Sequence, residues 1–365
     1  MSAGTDVLAT MPWGDCLVPP GSAPAELVAT VRRSHGGYAP VWVSRFAALP
    51  WLVRAMNEMT SGPFASLPFR DFAFVALVVS RDNSCRYCYG AQRALMRILG
   101  YEGDAIDRIE RDELVDSDPG SQLSLDFARK LSRGNPRPGA EQLAALGRSG
   151  RSPDEIAELT FAAASTVFAN RVSTLVALPP ASIEGAGYQL AGRLLRPVLT
   201  RWFKPSLKKK TQAPPVPNEG VGAAVVAALG TSPAAGVLRR AIDAALDSPV
   251  LPRRTKLLMM AVIARALQCA HCEKDAVTAL HAAGVPAGDV ARALDHLAAP
   301  GLDPREAQLV PFARETVRCA PIDIQPRLRT LAAGLDLRVD EVLEVVGVAA
   351  VGNALCRASV LLEQC

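Results

Sequence analysis

Two pairs of cysteines, each spaced three residues apart, are the side chains in this sequence best suited to chemistry. Cys85 and Cys88 lie in "SRDNSCRYCYG", and Cys269 and Cys272 lie in "ARALQCAHCEK". Residues i and i+3 share one face of a helix, so each pair can present two neighbouring thiols or close a disulfide. The spacing predicts thiol–disulfide chemistry at one pair or at both.

The residues before the first pair favour a reactive thiolate. Asn83 or Ser84 is predicted to be the N-cap of a helix whose first turn holds the cysteines. The free N–H groups and the positive end of the helix dipole would then lower the pKa of Cys85 below the usual value of about 8.5. Arg81 and Arg86 add positive charge nearby.

The second pair has a poorer setting in the sequence. The preceding "RALQ" offers no usual capping residue, and His271 stands between Cys269 and Cys272. A protonated His271 would help a thiolate form, but at this spacing it points to another side of the helix. We therefore expect the first pair to be redox-competent and the second to be degenerate.

The elements that must position these cysteines occur twice. When the chain is shifted by 184 residues, "LPFR" at 67–70 meets "LPRR" at 251–254, both cysteine pairs coincide, and Gly100 meets Gly284. With a drift of two residues, "SPDEIAELTFAAASTVFANR" meets "RVDEVLEVVGVAAVGNALCR". So many ordered matches predict an internal repeat of about 150 residues.

The repeat and the composition predict an all-α fold. "FAFVALVVS" alone could be a buried strand, but its counterpart "TKLLMMAVIARAL" reads as helix, so both are predicted helical. Gly100 and Gly284 are predicted to end the helices that follow the cysteines, and Ser152 to cap a later one. We expect an extension at 1–24, repeats at 25–190 and 221–365, and a linker at 191–220.

Composition narrows the function classes. The 365 residues are 49% hydrophobic and 21% charged, and 40 basic against 36 acidic residues give a net charge of +4. This balance argues for neither nucleic acid nor membrane binding. We expect no secretory signal and no membrane span, and the eight cysteines then favour redox or metal chemistry in the cytoplasm.

The basic, Pro-rich stretch at 193–220 leaves two interpretations open. It is either a solvated linker between the repeats or a patch that contacts an acidic partner, nucleic acid or an anionic lipid surface.

The order of these motifs resembles the AhpD-like alkylhydroperoxidase and carboxymuconolactone decarboxylase superfamily. Leu-Pro-x-Arg, an apolar helix, Ser-Arg-x-Asn-x-Cys-x-x-Cys and a helix closing on Gly look like its core, and the resemblance covers most of each half. It implies an all-helical, cofactor-free oligomer, with this duplicated chain forming a pseudo-dimer. In peroxidase members the second cysteine attacks the peroxide and the first resolves it, which gives these roles to Cys88 and Cys85.

The proton relay implied by the resemblance is missing. Gln92 stands where the family peroxidase carries a His, four residues after Cys88, and Ala276 stands there in the second half. Ala73 and Leu257 occupy the positions of its Glu. Because general acid–base help is worth roughly 10²–10⁴-fold, we expect a slow peroxidase unless another side chain supplies the proton.

Three hypotheses remain open. The first is a thiol–disulfide protein that reduces a hydroperoxide, or exchanges disulfides with a dithiol partner, through Cys85 and Cys88. The second is a non-catalytic homo-oligomeric scaffold with degenerate sites, so enzymatic activity is not settled. The third is a structural zinc site made by both cysteine pairs. The cysteines without a partner spacing are expected to be small buried hydrophobic side chains: Cys16, Cys319, Cys356 and Cys365. Surface or capping roles are expected for His35, His281 and His296.

Overall fold

Helices are the regular secondary structure of the described chain, which confirms the all-α prediction. The computed structural model describes residues 7–11, 13–111, 119–181, 184, 210–213, 216, 219–318 and 320–364. The first helices are α1 Val7–Thr10, α2 Ala25–Ser34, α3 Trp42–Arg45, α4 Pro50–Thr60, α5 Phe69–Asp82, α6 Arg86–Ile98, α7 Gly103–Glu110, α8 Pro119–Arg133, α9 Ala140–Arg148 and α10 Pro153–Leu175. The later ones are α11 Ala223–Ala227, α12 Pro233–Asp247, α13 Arg253–Ala266, α14 Ala270–Ala282, α15 Ala287–His296, α16 Glu306–Glu315, α17 Gln325–Gly334 and α18 Val339–Ala358, with short 3₁₀ turns at Pro321–Ile324 and Ser359–Gln364.

Local signals set several of these boundaries as predicted. Ser152 caps α10 by accepting a hydrogen bond from the Glu155 N–H, and Pro153 follows at the first helical position. Gly100 and Gly284 follow the ends of α6 and α14 with φ of +105° and +80°. A residue without a Cβ adopts this left-handed conformation at low cost, so both helices end there.

Two long helices, α10 and α18, form the centre of the molecule. They pack against each other, α10 also contacts α5 and α8, and α18 also contacts α12 and α13. Nearly every residue of both is buried, so neither has the polar face of a surface helix. Side chains from both halves of the chain belong to one continuous hydrophobic core.

Two buried arginines tie the halves together. Arg171 on α10 donates from Nε to the Thr316 carbonyl at 2.8 Å and from Nη2 to the Arg318 carbonyl at 2.8 Å, beyond the end of α16. Arg357 on α18 donates from Nε to the Ser132 carbonyl at 3.0 Å, in the last turn of α8. Each arginine thus binds helix-end carbonyls in the other half, where a cation is electrostatically favoured.

Helices of equal length surround the two cysteine pairs. The helices α5 and α13 each have 14 residues, and α6 and α14 each have 13. The tandem repeat, its pseudo-dimer and the domain boundaries remain predictions. Most of the basic stretch at 193–220, together with Cys319 and Cys365, lies outside the described residues.

One described stretch, Val339–Glu363, has the length and apolar composition of a membrane-crossing helix. It contains α18, and 94% of its most apolar window is buried inside the structure. The central helix of a protein core meets the same criteria, so the stretch is weak evidence for a membrane span.

Candidate functional site

Each cysteine pair sits at a helix start in which the first cysteine is itself the N-cap. The Sγ of Cys85 accepts the N–H of Cys88 at 3.3 Å, and the Sγ of Cys269 accepts the N–H of Cys272 at 3.4 Å. The prediction of Asn83 or Ser84 as the cap is therefore wrong. Ser84 instead has φ of +53°, in the left-handed region that turns the chain from α5 into α6.

The same geometry corrects the expectation of a poorer setting for the second pair. Gln268 has φ of +54°, matching Ser84, and a sulfur replaces the usual oxygen cap at both sites. An uncapped start was expected after "RALQ" because cysteine is an uncommon cap. The helix N-terminus therefore acts on both pairs alike.

The two thiols of the first pair differ in exposure and in acidity. Cys85 is fully buried, whereas 8% of Cys88 is exposed. Burial raises the pKa of Cys85, but hydrogen bonds from the thiol and the N–H of Cys88 outweigh it and lower that pKa overall. Burial, followed by donation to Cys85, raises the pKa of Cys88. Cys85 is thus the more acidic thiol of the pair, and its sulfur accepts the Cys88 S–H.

Cys88 forms part of the wall of a cavity of about 170 Å³. Most of the wall is apolar, and it comes from α4, α5, α6 and α10 together with the segment after α2. Its lining residues include Pro40, Trp42, Met56, Met59, Phe72, Ala76, Leu95 and Ala169. Cys85 is absent from this lining, so a molecule in the cavity meets Cys88.

Polar side chains also face the cavity, and two of them keep unused hydrogen-bonding atoms. Asn170 is fully buried; its Oδ1 accepts from Ser80 Oγ at 3.0 Å, and its Nδ2 finds no partner among the described residues. Gln92 lies in the same wall, and its Oε1 is likewise unpaired within the described chain. An unsatisfied buried donor costs free energy, so the cavity favours a ligand with a polar oxygen.

His35 also lines this cavity, although the sequence suggested a surface or capping role. Its Nδ1 lies 3.0 Å from the Val31 carbonyl oxygen, and its ring meets Trp42 edge-on at 5.8 Å between centroids. An Nδ1–H that donates to this carbonyl leaves Nε2 as the basic nitrogen. Burial lowers the pKa of His35, which favours the neutral imidazole near pH 7.

Three acidic or phenolic side chains of the first half that could exchange a proton are engaged in other contacts. Asp71 pairs with Arg151 at 2.7 Å, and Asp82 pairs with Arg129. Tyr89 donates to Glu110 at 2.8 Å and lies away from the cavity lining.

A third thiol joins the second pair. The sulfur atoms of Cys269, Cys272 and Cys356 all lie within 4.8 Å of one another, and the three residues are buried. Cys356 comes from the last turn of α18. The sequence led us to expect only a buried small side chain there; its burial is confirmed, but its partners were missed. The described residues show no such cluster joining both cysteine pairs, which the zinc hypothesis requires.

Hydrogen bonds make Cys269 the most acidic of these thiols. Bonds from Cys272 and then Cys356 lower the pKa of Cys269 despite its burial. The same bonds, with burial, raise the pKa values of Cys272 and Cys356. The predicted helper His271 is exposed on α14 rather than buried with the thiols.

The fold and this site define a class: an all-helical protein with paired thiols at helix N-termini. Residues 233–315 match the model of the carboxymuconolactone decarboxylase family. The matched segment contains Cys269 and Cys272 and is consistent with an AhpD-like superfamily member. The match falls on the half that the sequence suggested was degenerate. No curated protein and no solved structure has significant similarity to the chain.

Proposed function

We propose that the protein is a cysteine-dependent thiol–disulfide oxidoreductase that reduces a hydroperoxide through Cys88 and Cys85. The observation that carries this proposal is the different position of the two cysteines relative to the cavity. Cys88 faces an apolar cavity, and Cys85 lies behind it within hydrogen-bonding reach of its sulfur and backbone N–H.

The reaction balances with one external reductant. After its proton has moved to Cys85, the Cys88 thiolate attacks the terminal oxygen of ROOH and the O–O bond breaks. The alkoxide takes that proton to become ROH, which leaves Cys85 as a thiolate. Cys88 is then a sulfenic acid. The Cys85 thiolate attacks the Cys88 sulfur, hydroxide leaves and is protonated to water, and a disulfide forms. A dithiol partner returns two electrons and two protons by disulfide exchange.

The shared proton of the pair explains how Cys88 becomes nucleophilic despite its raised pKa. When the pair is ionised, moving the proton of the S–H···S bond from Cys88 to Cys85 transfers the negative charge to the sulfur that faces the cavity. Such a coupled pair titrates as a unit, so either sulfur can hold the charge. The attack therefore needs no glutamate of the family type.

His35 is the side chain we assign to the leaving alkoxide. It lines the same cavity, and its unprotonated Nε2 can accept the proton released by the thiol pair and pass it to the alkoxide. Gln92, at the position of the family's histidine, can only hold an oxygen by hydrogen bonding. The proton partner would thus come from the segment after α2 rather than from α6.

The side chains that line the cavity at Cys88 indicate the class of substrate. Apolar side chains suit an organic substituent, and the unpaired Asn170 Nδ2–H suits the peroxide oxygens. We expect an organic hydroperoxide to react faster than hydrogen peroxide.

Stopped-flow thiol oxidation tests the proposal. Reduced full-length protein is mixed with an organic hydroperoxide, and wild type is compared with Cys88→Ser and with the matched control Cys272→Ser. We expect a fast phase that only Cys88→Ser loses, with Cys85→Ser leaving a trappable sulfenic acid. Wild-type oxidation no faster than free cysteine would refute the proposal and favour the non-catalytic scaffold.

We also propose where the protein is located, how it assembles and what its second cysteine pair does. We place the protein in the cytoplasm as a homo-oligomer of duplicated chains, in which the second cysteine pair of each chain does not supply the peroxidase activity. The equal lengths of the matched helices and the reciprocal arginine contacts support the duplication.

A further inference from the structure

We propose that Cys269, Cys272 and Cys356 form a three-sulfur binding site for a soft d¹⁰ cation, Cu(I) or Zn(II). This site is separate from the cavity at Cys88 and does not rest on the redox function proposed there. The inference begins from the positions of the three sulfurs.

The sulfur positions already approach those of a metal site. Ligand bonds of about 2.3 Å place neighbouring sulfurs roughly 3.8 Å apart around a tetrahedral ion and roughly 4.0 Å apart around a trigonal one. The three sulfurs here lie within 4.8 Å of one another without an ion. Small changes in side-chain torsion would bring them to bonding distance, so no backbone rearrangement is required.

Rigid elements hold these sulfurs. Cys269 and Cys272 are fixed by the first turn of α14, and Cys356 by the end of the central helix α18. The helix start provides the Cys272 N–H to the Cys269 sulfur, a contact that stabilises a thiolate with or without metal. A preorganised ligand set of this kind binds a cation without ordering a loop.

Polar groups next to the cluster support its negative charge. The Ser359 Oγ lies 3.0 Å from the Cys269 Sγ, and Arg137 Nη2 donates to that hydroxyl at 2.8 Å. Arg137 is also paired with Glu363 at 3.1 Å. This chain orients Cys269 and places a guanidinium one hydrogen bond from its sulfur, as outer contacts do in metal sites.

The ligand type selects the cation. Thiolates prefer Cu(I) and Zn(II), whereas Mg²⁺ and Ca²⁺ require several oxygens. Three sulfurs complete a trigonal Cu(I) site, while Zn(II) would need a fourth ligand such as the Ser359 oxygen or a water. Cu(I) is therefore the better fit.

The first half provides an internal comparison. In the register that aligns the two long helices, Asn170 occupies the position of Cys356, 186 residues earlier. A carboxamide there faces the cavity, so the first pair lacks a third sulfur. This difference makes Cys356 the residue on which the proposal depends.

Competition titration tests the site in a Cys85→Ser/Cys88→Ser background, which also removes the proposed peroxidase. Reduced full-length protein competes anaerobically with a colorimetric Cu(I) chelator and, separately, with a Zn(II) chelator. We expect one equivalent bound per chain, at least tenfold weaker binding after Cys356→Ser, and no change after Cys16→Ser. Binding should tighten with rising pH, because a cysteine must lose its proton to coordinate the ion.

Alkylation of the same background protein provides a readout that no folding defect can imitate. In the native protein, the bound ion should slow the reaction of Cys269, Cys272 and Cys356 with iodoacetamide relative to the same protein without metal. Sulfur coordination by X-ray absorption should count three ligands for Cu(I). Failure to compete for either cation, equal affinity in Cys356→Ser, or protection of other cysteines would each overturn the proposal.

Discussion

Arg171 holds the two halves of the molecule together, and replacing it with Met should show how strongly. The side chain is fully buried and donates to the carbonyls of Thr316, Val317 and Arg318. The Val317 carbonyl also accepts from Arg357 at 3.2 Å, so the variant removes the Arg171 donor mainly at Thr316 and Arg318.

The magnitude follows from those two carbonyls. Each buried acceptor that loses its donor costs about 1–3 kcal/mol, and the lost interaction with the C-terminal dipole of α16 adds up to about 1 kcal/mol. Relief from burying a guanidinium offsets part of this sum. We expect Arg171→Met to lower the free energy of unfolding by about 3–5 kcal/mol.

Urea unfolding followed by circular dichroism measures the change. A single transition is expected for the wild type, because one core spans both halves. Arg240→Met is the matched control: its ion pair with Glu58 is exposed, so its effect should stay within about 1 kcal/mol. A loss below about 1 kcal/mol in Arg171→Met, with unchanged slope, would refute the reasoning.

Three further predictions follow from the structure. Gly347→Ala should destabilise the protein by about 1–3 kcal/mol, because a Cβ would lie 2.7 Å from Cη2 of Trp51, whose ring is fixed by a 2.6 Å hydrogen bond to Glu344. Urea unfolding measures this loss, and a stabilised variant would contradict the prediction. Lys256→Met should lower the free energy of unfolding by about 3–5 kcal/mol, because it leaves the Glu344 charge buried without its partner. Adding Glu344→Leu should recover part of that loss, and a double-mutant cycle measured by urea unfolding tests this. Burial lowers the pKa of His35, so as the pH falls the unfolded chain takes up a proton at this imidazole before the folded chain does. The free energy of unfolding should therefore be full above about pH 6.5 and fall below it. His35→Gln should flatten this pH dependence in unfolding measured at pH 5–8, whereas equal slopes would argue against a buried imidazole.

The helices and the cysteine positions could be predicted from the sequence, because their causes are local. Ser152 with Pro153, and the glycines after α6 and α14, set helix ends through bonds within a few residues. The cap at Cys85 was also local, but it was missed because sulfur was not counted among capping atoms. A helix that starts immediately after a cysteine is the signal that would have found it.

His35 and Cys356 could not be placed in the same way. His35 lies 53 residues before Cys88, and only the packing of the segment after α2 over the first half brings it to the cavity. Cys356 follows Cys272 by 84 residues, and its proximity depends on how α18 crosses the second half. No periodic pattern records such contacts between helices.

Aligning the two long helices shows one difference in the sequence that separates the halves: Asn170 stands at the position of Cys356. Both pairs have the same helix start and the same S–H···S arrangement, so the Cys-x-x-Cys motif alone does not distinguish them. The difference comes from the long helix packed behind each pair: Asn170 leaves an amide facing a cavity, whereas Cys356 adds a third thiol to a closed cluster. Exchanging these two residues changes ligand number at one site and cavity polarity at the other without altering either helix start. The side chain that the long helix supplies therefore decides which chemistry each pair of thiols can perform.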